Sequence, residues 1–203
     1  MKKTIAAAAL TGVLAAGAAG AAGTALIAAA PGAGAVATST ATLLSATRPA
    51  QALQPWPVLR QGPNTAWPKV TVRSVQYLLN AHSAKLTVNG TFAAATRSAV
   101  VAFQRAHHLT ADGVVGPATW RALIVTVRKG STGAAVRAVQ DQINFRNNRN
   151  GHTLAVDGVC GPKTQAAVRA FQQAMAHQIR GFSVDGIVGP QTWQALVTEA
   201  LSG

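Results

Sequence analysis

The chain has 203 residues, and its 18 Lys and Arg against 5 Asp and Glu give a formal net charge of +13. So few acids leave little material for paired-carboxylate catalysis, and the single cysteine, Cys160, excludes an internal disulfide. The length allows one ordinary domain or two small ones.

Lys2 and Lys3 open the chain, and an uncharged run rich in Ala, Gly, Leu and Val extends from Ile5 to about Ala30. Small-residue A-x-A sites follow at Ala35-Val36-Ala37 and Ala50-Gln51-Ala52. Basic, apolar, then small is the order of a secretory signal peptide. A membrane anchor is the rival reading, since the run is long enough to cross a bilayer. Against it, Ala and Gly are weakly apolar and no basic stop-transfer cluster follows. The expectation is export, with residues 1–37 removed (or cleavage as late as 52) and no stable membrane anchor left behind. The Thr/Ser/Pro-rich stretch 38–57 reads as a flexible segment. From residue 38 onward 16 Lys and Arg face 5 acids, about +11, a charge that draws the protein towards anionic polymers.

Beyond residue 57 the apolar spacing is helical. Val72, Val75 and Leu79 fall at i, i+3 and i+7 and predict a first helix. Ala99, Val100 and Phe103 mark a second, and Trp120, Leu123 and Ile124 a short third. The same set then returns as Val136, Val139 and Ile143, as Ala167, Phe171 and Met175, and as Trp193, Leu196 and Val197. No useful length alternates at period two. The expected fold is all-α: two tandem three-helix bundles, over 58–125 and 126–203, joined by a short connector from Ile124 to Gly133 that restricts their relative orientation. Bundles of about 70 residues have small cores.

The repeat is explicit. DGVVGPATWRAL, from Asp112, and DGIVGPQTWQAL, from Asp185, are identical at nine of twelve positions. DGVCGPKTQAAV begins at Asp157 and a worn copy, NGTFAAATRSAV, at Asn89, so one turn-plus-helix unit is used twice in each bundle. Asp-Gly makes a tight turn in which Gly takes a positive φ. Pro after the second Gly suits the first helical position. The Asp carboxylate or the Thr two residues beyond Pro is then expected to meet free N–H groups of the new helix. The second bundle has four extra residues between Gln140 and Asp157 and five between Phe171 and Asp185, and such loop insertions cost little.

The order V-x-x-V-Q, D-G-x-x-G-P-x-T-x-x-A-V-x-x-F-Q, D-G-I-V-G-P-x-T-W-x-A-L resembles the three-helix peptidoglycan-binding domain, twice over, across nearly all of the chain after the leader. The first copy departs at Asn89 and Ala93-Ala94, where the family shows Asp and usually Gly-Pro. Cys160 stands where the family usually has Phe. The resemblance implies non-catalytic recognition of peptidoglycan, or another anionic wall polymer, by a protein outside the cell or at its wall. Two weak sites would act with avidity, and a separate wall enzyme is a further possible partner. The alternatives are a structural or partner-binding use of the fold, and, less favoured, a wall hydrolase. Nucleic acid is not the expected partner, because an exported protein meets the wall first.

By hypothesis the ligand groove lies beside the D-G turns and helix starts. Its candidate residues are Asp112, Thr119, Asp157, Thr164, Asp185 and Thr192 in the turns, with Arg105, Arg121, Arg169 and Arg180 placed to pair with stem-peptide carboxylates. The competing reading makes the three aspartates turn formers and favours Trp120 and Trp193 as core residues. Trp56 and Trp67 precede the first helix and either cap the first core or stay open to a sugar. Cys160 occupies an apolar slot shared with Phe92, Val115 and Val188 and is expected buried, not a nucleophile. His82, His107, His108, His152 and His177 form no H-E-x-x-H pattern. No metal, cofactor or catalytic residue is therefore expected.

Overall fold

The computed structural model describes residues 52–147 and 153–198. The expected leader and its first cleavage site lie outside the described residues, and of the second only Ala52 is described. The described residues hold six helices: α1 Lys69–Ala81, α2 Ala94–Ala106, α3 Pro117–Leu123, α4 Ala134–Asn147, α5 Pro162–Ala176 and α6 Pro190–Thr198. They contain no strand, only isolated antiparallel bridges. The all-α tandem architecture is the one the periodicity implies.

Each bundle is closed by an extended segment laid across both of its turns. In the first, Leu59 bridges to Val115 and Gly62 to Phe92; in the second, Val127 bridges to Val188 and Thr132 to Val159. The indoles complete the pattern. Trp120 is fully buried and its Nε1 donates to the Pro57 carbonyl at 2.7 Å, while Trp193, equally buried, donates to Val125 at 2.8 Å. A buried indole N–H needs such an acceptor. The stretch from Ile124 to Gly133 is thus part of the second bundle, as well as the link between the two.

Residues 52–57, assigned from sequence to the flexible segment, are held down. Trp56 stacks on Trp120 with ring centroids 5.6 Å apart, and Gln194 Nε2 donates to the Gln54 carbonyl at 2.7 Å. Proline-rich composition argued for mobility, but one aromatic seated on the core outweighs it.

The two bundles share one core. Besides Val72, Val75 and Leu79, α1 buries Thr71, Ser74 and Leu78, a second stripe at i, i+3 and i+7. The matching stripe on α4 is Ala135, Ala138 and Gln142. These helices make the most extensive helix–helix contact in the molecule. Gln142 Nε2 donates to Ser74 Oγ at 2.8 Å, and Arg73 grips Asp141 through two bonds of 2.7 and 2.9 Å. The buried apolar residues of both bundles form a single cluster from Trp56 to Val197. The extra residues after Phe171 add to it, since Ile179 and Phe182 are buried.

Candidate functional site

Four glutamines organise the four turns, and all four are buried. In the Asp112 turn, Gln104 Oε1 accepts from Gly113 N–H at 2.9 Å, and its Nε2 donates to Asp112 Oδ1, the Val114 carbonyl and Thr119 Oγ1. Asp112 Oδ1 also accepts from Val114 N–H at 2.8 Å. The same network joins Gln140 to Gly158, Asp157, Val159 and Thr164. It joins Gln172 to Gly186, Asp185, Ile187 and Thr192. In the worn copy Gln76 holds Gly90, Asn89, Thr91 and Thr96. The glutamine therefore satisfies the buried glycine N–H of each turn.

This network corrects the expected capping chemistry. Helices α2, α3 and α5 start without a side-chain cap bond. Thr119, Thr164 and Thr192 are 3–4% exposed, and their hydroxyls donate back to the carbonyls of Val114, Val159 and Ile187. These hydroxyls are committed to the turn and do not cap the helix starts. The aspartates are turn formers that keep one face to solvent. The backbone N–H at i+2 is the main cause that holds the carboxyls of Asp112, Asp157 and Asp185 below their ordinary range.

The glycines in these turns are required twice over. Gly113 has φ +74°, and a Cβ there would come within 2.8 Å of the Arg97 side chain; Gly186 has φ +78° and would meet Arg169 at 2.9 Å. Arg169 thus lies across the Asp185 turn. Arg97 and Arg137 lie likewise across the turns of Asp112 and Asp157 and were not singled out. The signal for Arg137 and Arg169 was their position three residues before Gln140 and Gln172. Arg105 and Arg180 are exposed at the end of α2 and beyond α5.

Two open surfaces border these elements. A groove of about 340 Å³ runs beside the Asp112 turn between His108, Leu109 and the start of α3, where the sequence placed the ligand. A wider one of about 640 Å³ lies between the starts of α3 and α6, floored by Leu53, Pro55 and Trp56 and edged by Arg121 and Gln194. Arg121 is the one predicted arginine that meets residues of both bundles at a single concavity. Trp193 and Trp120 are spent in the core, and Cys160 is buried with its thiol pushed up by desolvation. Among the described residues no group of three His, Cys, Asp or Glu stands close enough to hold a metal. None of the helices described is long and apolar enough to cross a membrane.

The chain is a pair of three-helix bundles built on four glutamine-latched turns. The family described as putative peptidoglycan binding domain matches residues 69–123 and 132–196, more than half of the chain, and the protein belongs to that family. The chain is similar to a zinc D-Ala-D-Ala carboxypeptidase of Streptomyces albus G, at 41% identity over 35% of this chain and 26% of that protein. It is also similar to an N-acetylmuramoyl-L-alanine amidase of Bacillus licheniformis, at 28% identity over 56% of this chain and 38% of the amidase. An uncharacterized protein of Kitasatospora aureofaciens matches at 40% identity over 36% of this chain and 55% of its own length. The chain therefore spans between about a quarter and a little over half of these relatives. No solved structure matches the chain.

Proposed function

We propose that this is an exported protein that binds peptidoglycan without cutting it, using both bundles on one polymer. The observation that carries the reading is the family match to both repeats. The fate of the acids supports the non-catalytic part. Asp112, Asp157 and Asp185 are bound into turns, and Asp141 is paired with Arg73. Of the five acids only Glu199 is left, beyond the described residues. A hydrolase needs two carboxylates across a cleft, a caged metal or an activated nucleophile. Two weak sites on a polymer of repeating units gain strength from being linked, and the +11 of the exported portion speeds encounter with an anionic wall.

The test is co-sedimentation of the whole exported chain with purified peptidoglycan across a salt series. Retention should persist at about 1 M salt, where charges are screened beyond about 3 Å, and the turbidity of the suspension should not fall. Complete release at moderate salt would reduce the interaction to charge alone. Loss of turbidity would make the protein an enzyme. Isolated bundles are a poor test of avidity, because separating them exposes the α1 and α4 faces. Substitutions in one bundle of the intact chain are the sound comparison.

A further inference from the structure

The first bundle holds a concavity that the second lacks the residues to build. From Gly62 to Lys69 the chain takes seven steps, whereas the equivalent passage from Gly130 to Gly133 takes three. The added residues form a pinned loop. Asn64 Oδ1 accepts from Arg60 N–H at 3.1 Å, its Nδ2 donates to the carbonyls of Arg60 and Gly62, and Trp67 N–H returns to the Asn64 carbonyl. Gly62, at φ +111°, turns the loop outward while its N–H stays bonded to Phe92. The loop is ordered by its own hydrogen bonds, so little entropy remains to be lost when something binds there.

What it encloses is a cavity of about 260 Å³. Trp67, Thr65, Lys69 and Thr91 line it above a floor of Phe92 and Val72. Trp56 and Trp67 looked alike in sequence, but Trp56 is buried in the core whereas Trp67 only packs against its edge. Trp67 is half-buried with part of its indole on the cavity. The Lys69 ammonium makes no ion pair among the described residues, and no described bond engages the hydroxyls of Thr65 and Thr91. At about 30 Å³ per water the space corresponds to roughly nine waters, which suits one sugar ring. An aromatic wall takes the apolar C–H face of a pyranose, hydroxyls meet its equatorial oxygens, and a cation at the rim selects a carboxylate.

We infer that this loop is a glycan subsite of the first bundle, taking one pyranose ring with a carboxylate substituent at the Lys69 edge. The inference rests on the wall-binding reading and assigns the two bundles unequal roles, with the sugar read by the first alone. Titration of the whole exported chain with two soluble probes, followed by amide and indole N–H shifts, tests it. The probes are a neutral β-1,4-linked N-acetylglucosamine tetramer and an N-acetylglucosamine–N-acetylmuramic acid disaccharide with its lactyl carboxylate free. Both should shift the Trp67 indole, and the acidic sugar should bind about threefold more tightly at low salt. Trp67→Ala should lose about tenfold or more in affinity for both. Lys69→Gln, at an exposed position, should abolish only the difference between them. Shifts confined to other residues, undiminished binding by Trp67→Ala, or equal affinity for the two sugars would overturn the subsite. If neither sugar binds while the protein still sediments with peptidoglycan, the subsite falls and wall binding stands. If sedimentation fails as well, both fall.

Discussion

The worn turn at Asn89 and the full one at Asp185 fold to the same network, and the differences show which residues the unit needs. The worn copy has lost Asp, Gly and Pro at three positions, yet Gln76 makes the bonds that Gln172 makes. Gly90 is retained because φ is +74° there. The second glycine was dispensable. Gly116 and Gly161, at that position in other copies, have φ of −99° and −81°, and a Cβ on either would meet nothing within 4 Å. Ala93 adopts the same extended geometry, with φ −88°. Proline lowers the entropy of the helix start without making a bond. The minimal unit is therefore a glutamine, an Asx, a left-handed glycine and a buried threonine.

The bundles also diverge in what their insertions do. The first spends its extra residues before α1 on an outward loop with Trp67. The second spends its extra residues after α5 on the core, through Ile179 and Phe182. One bundle gained surface and the other gained packing.

The sharpest way to break this comparison is to remove the indoles. Trp120→Ala and Trp193→Ala should each cost about 3–5 kcal/mol. The first should be the more damaging by about 0.5–1.5 kcal/mol, because Trp56 also loses its stacking partner. Calorimetry of either variant should still show one transition, since the core is shared. Two separated transitions would mean that the bundles are independent after all.

A smaller effect should separate the latches. Gln172→Ala and Gln76→Ala each strand a buried glycine N–H, at about 1–3 kcal/mol. The loss should be greater at Gln172, whose amide bonds a carboxylate where Gln76 bonds a neutral amide. Equal urea midpoints for the two variants would remove the charge of the Asp from the account.

The smallest effect is in acid. The carboxyls of Asp112, Asp157 and Asp185 are lowered by the backbone N–H at i+2. Their contribution is thus complete above the ordinary carboxyl value near 3.8 and is lost as pH falls through the lowered native values. These groups are exposed, so the loss is modest. Unfolding followed from pH 6 to pH 2 should show a drop that Asp→Asn at all three turns flattens. The turn of Asn89 contributes nothing to that drop, and Asn89→Asp should deepen it. A profile that the triple substitution leaves unchanged would show that acid acts elsewhere.

Most of the fold was legible as pattern. Val72, Val75 and Leu79 and their repeats announce helices because a helix buries every third or fourth residue, and D-G announces turns because few residues tolerate a positive φ. The buried state of Cys160 followed from the apolar residues in its sister positions. The glutamines were visible as repeated letters, but a polar residue on an apolar helix face gives no sign of its partners until the turn is folded over it. The threonines were misplaced for the same reason, since a hydroxyl near a helix start can point to the N–H groups or back to a carbonyl.

The sequence by itself determined the helices, the turns and the family, all of which rest on local spacing and on residues with strong backbone preferences. Only the tertiary structure decided that the bundles share a core. The contact stripe of Thr71, Ser74, Ala135, Ala138 and Gln142 is small or polar, with Leu78 its one large apolar member, and carries little hydrophobic period. It becomes an interface because small side chains let α1 and α4 approach closely. The tertiary structure likewise separated the two tryptophans ahead of α1. One found a buried ring to stack on, and the other was left at the mouth of a cavity by a loop whose shape depends on bonds between residues four apart.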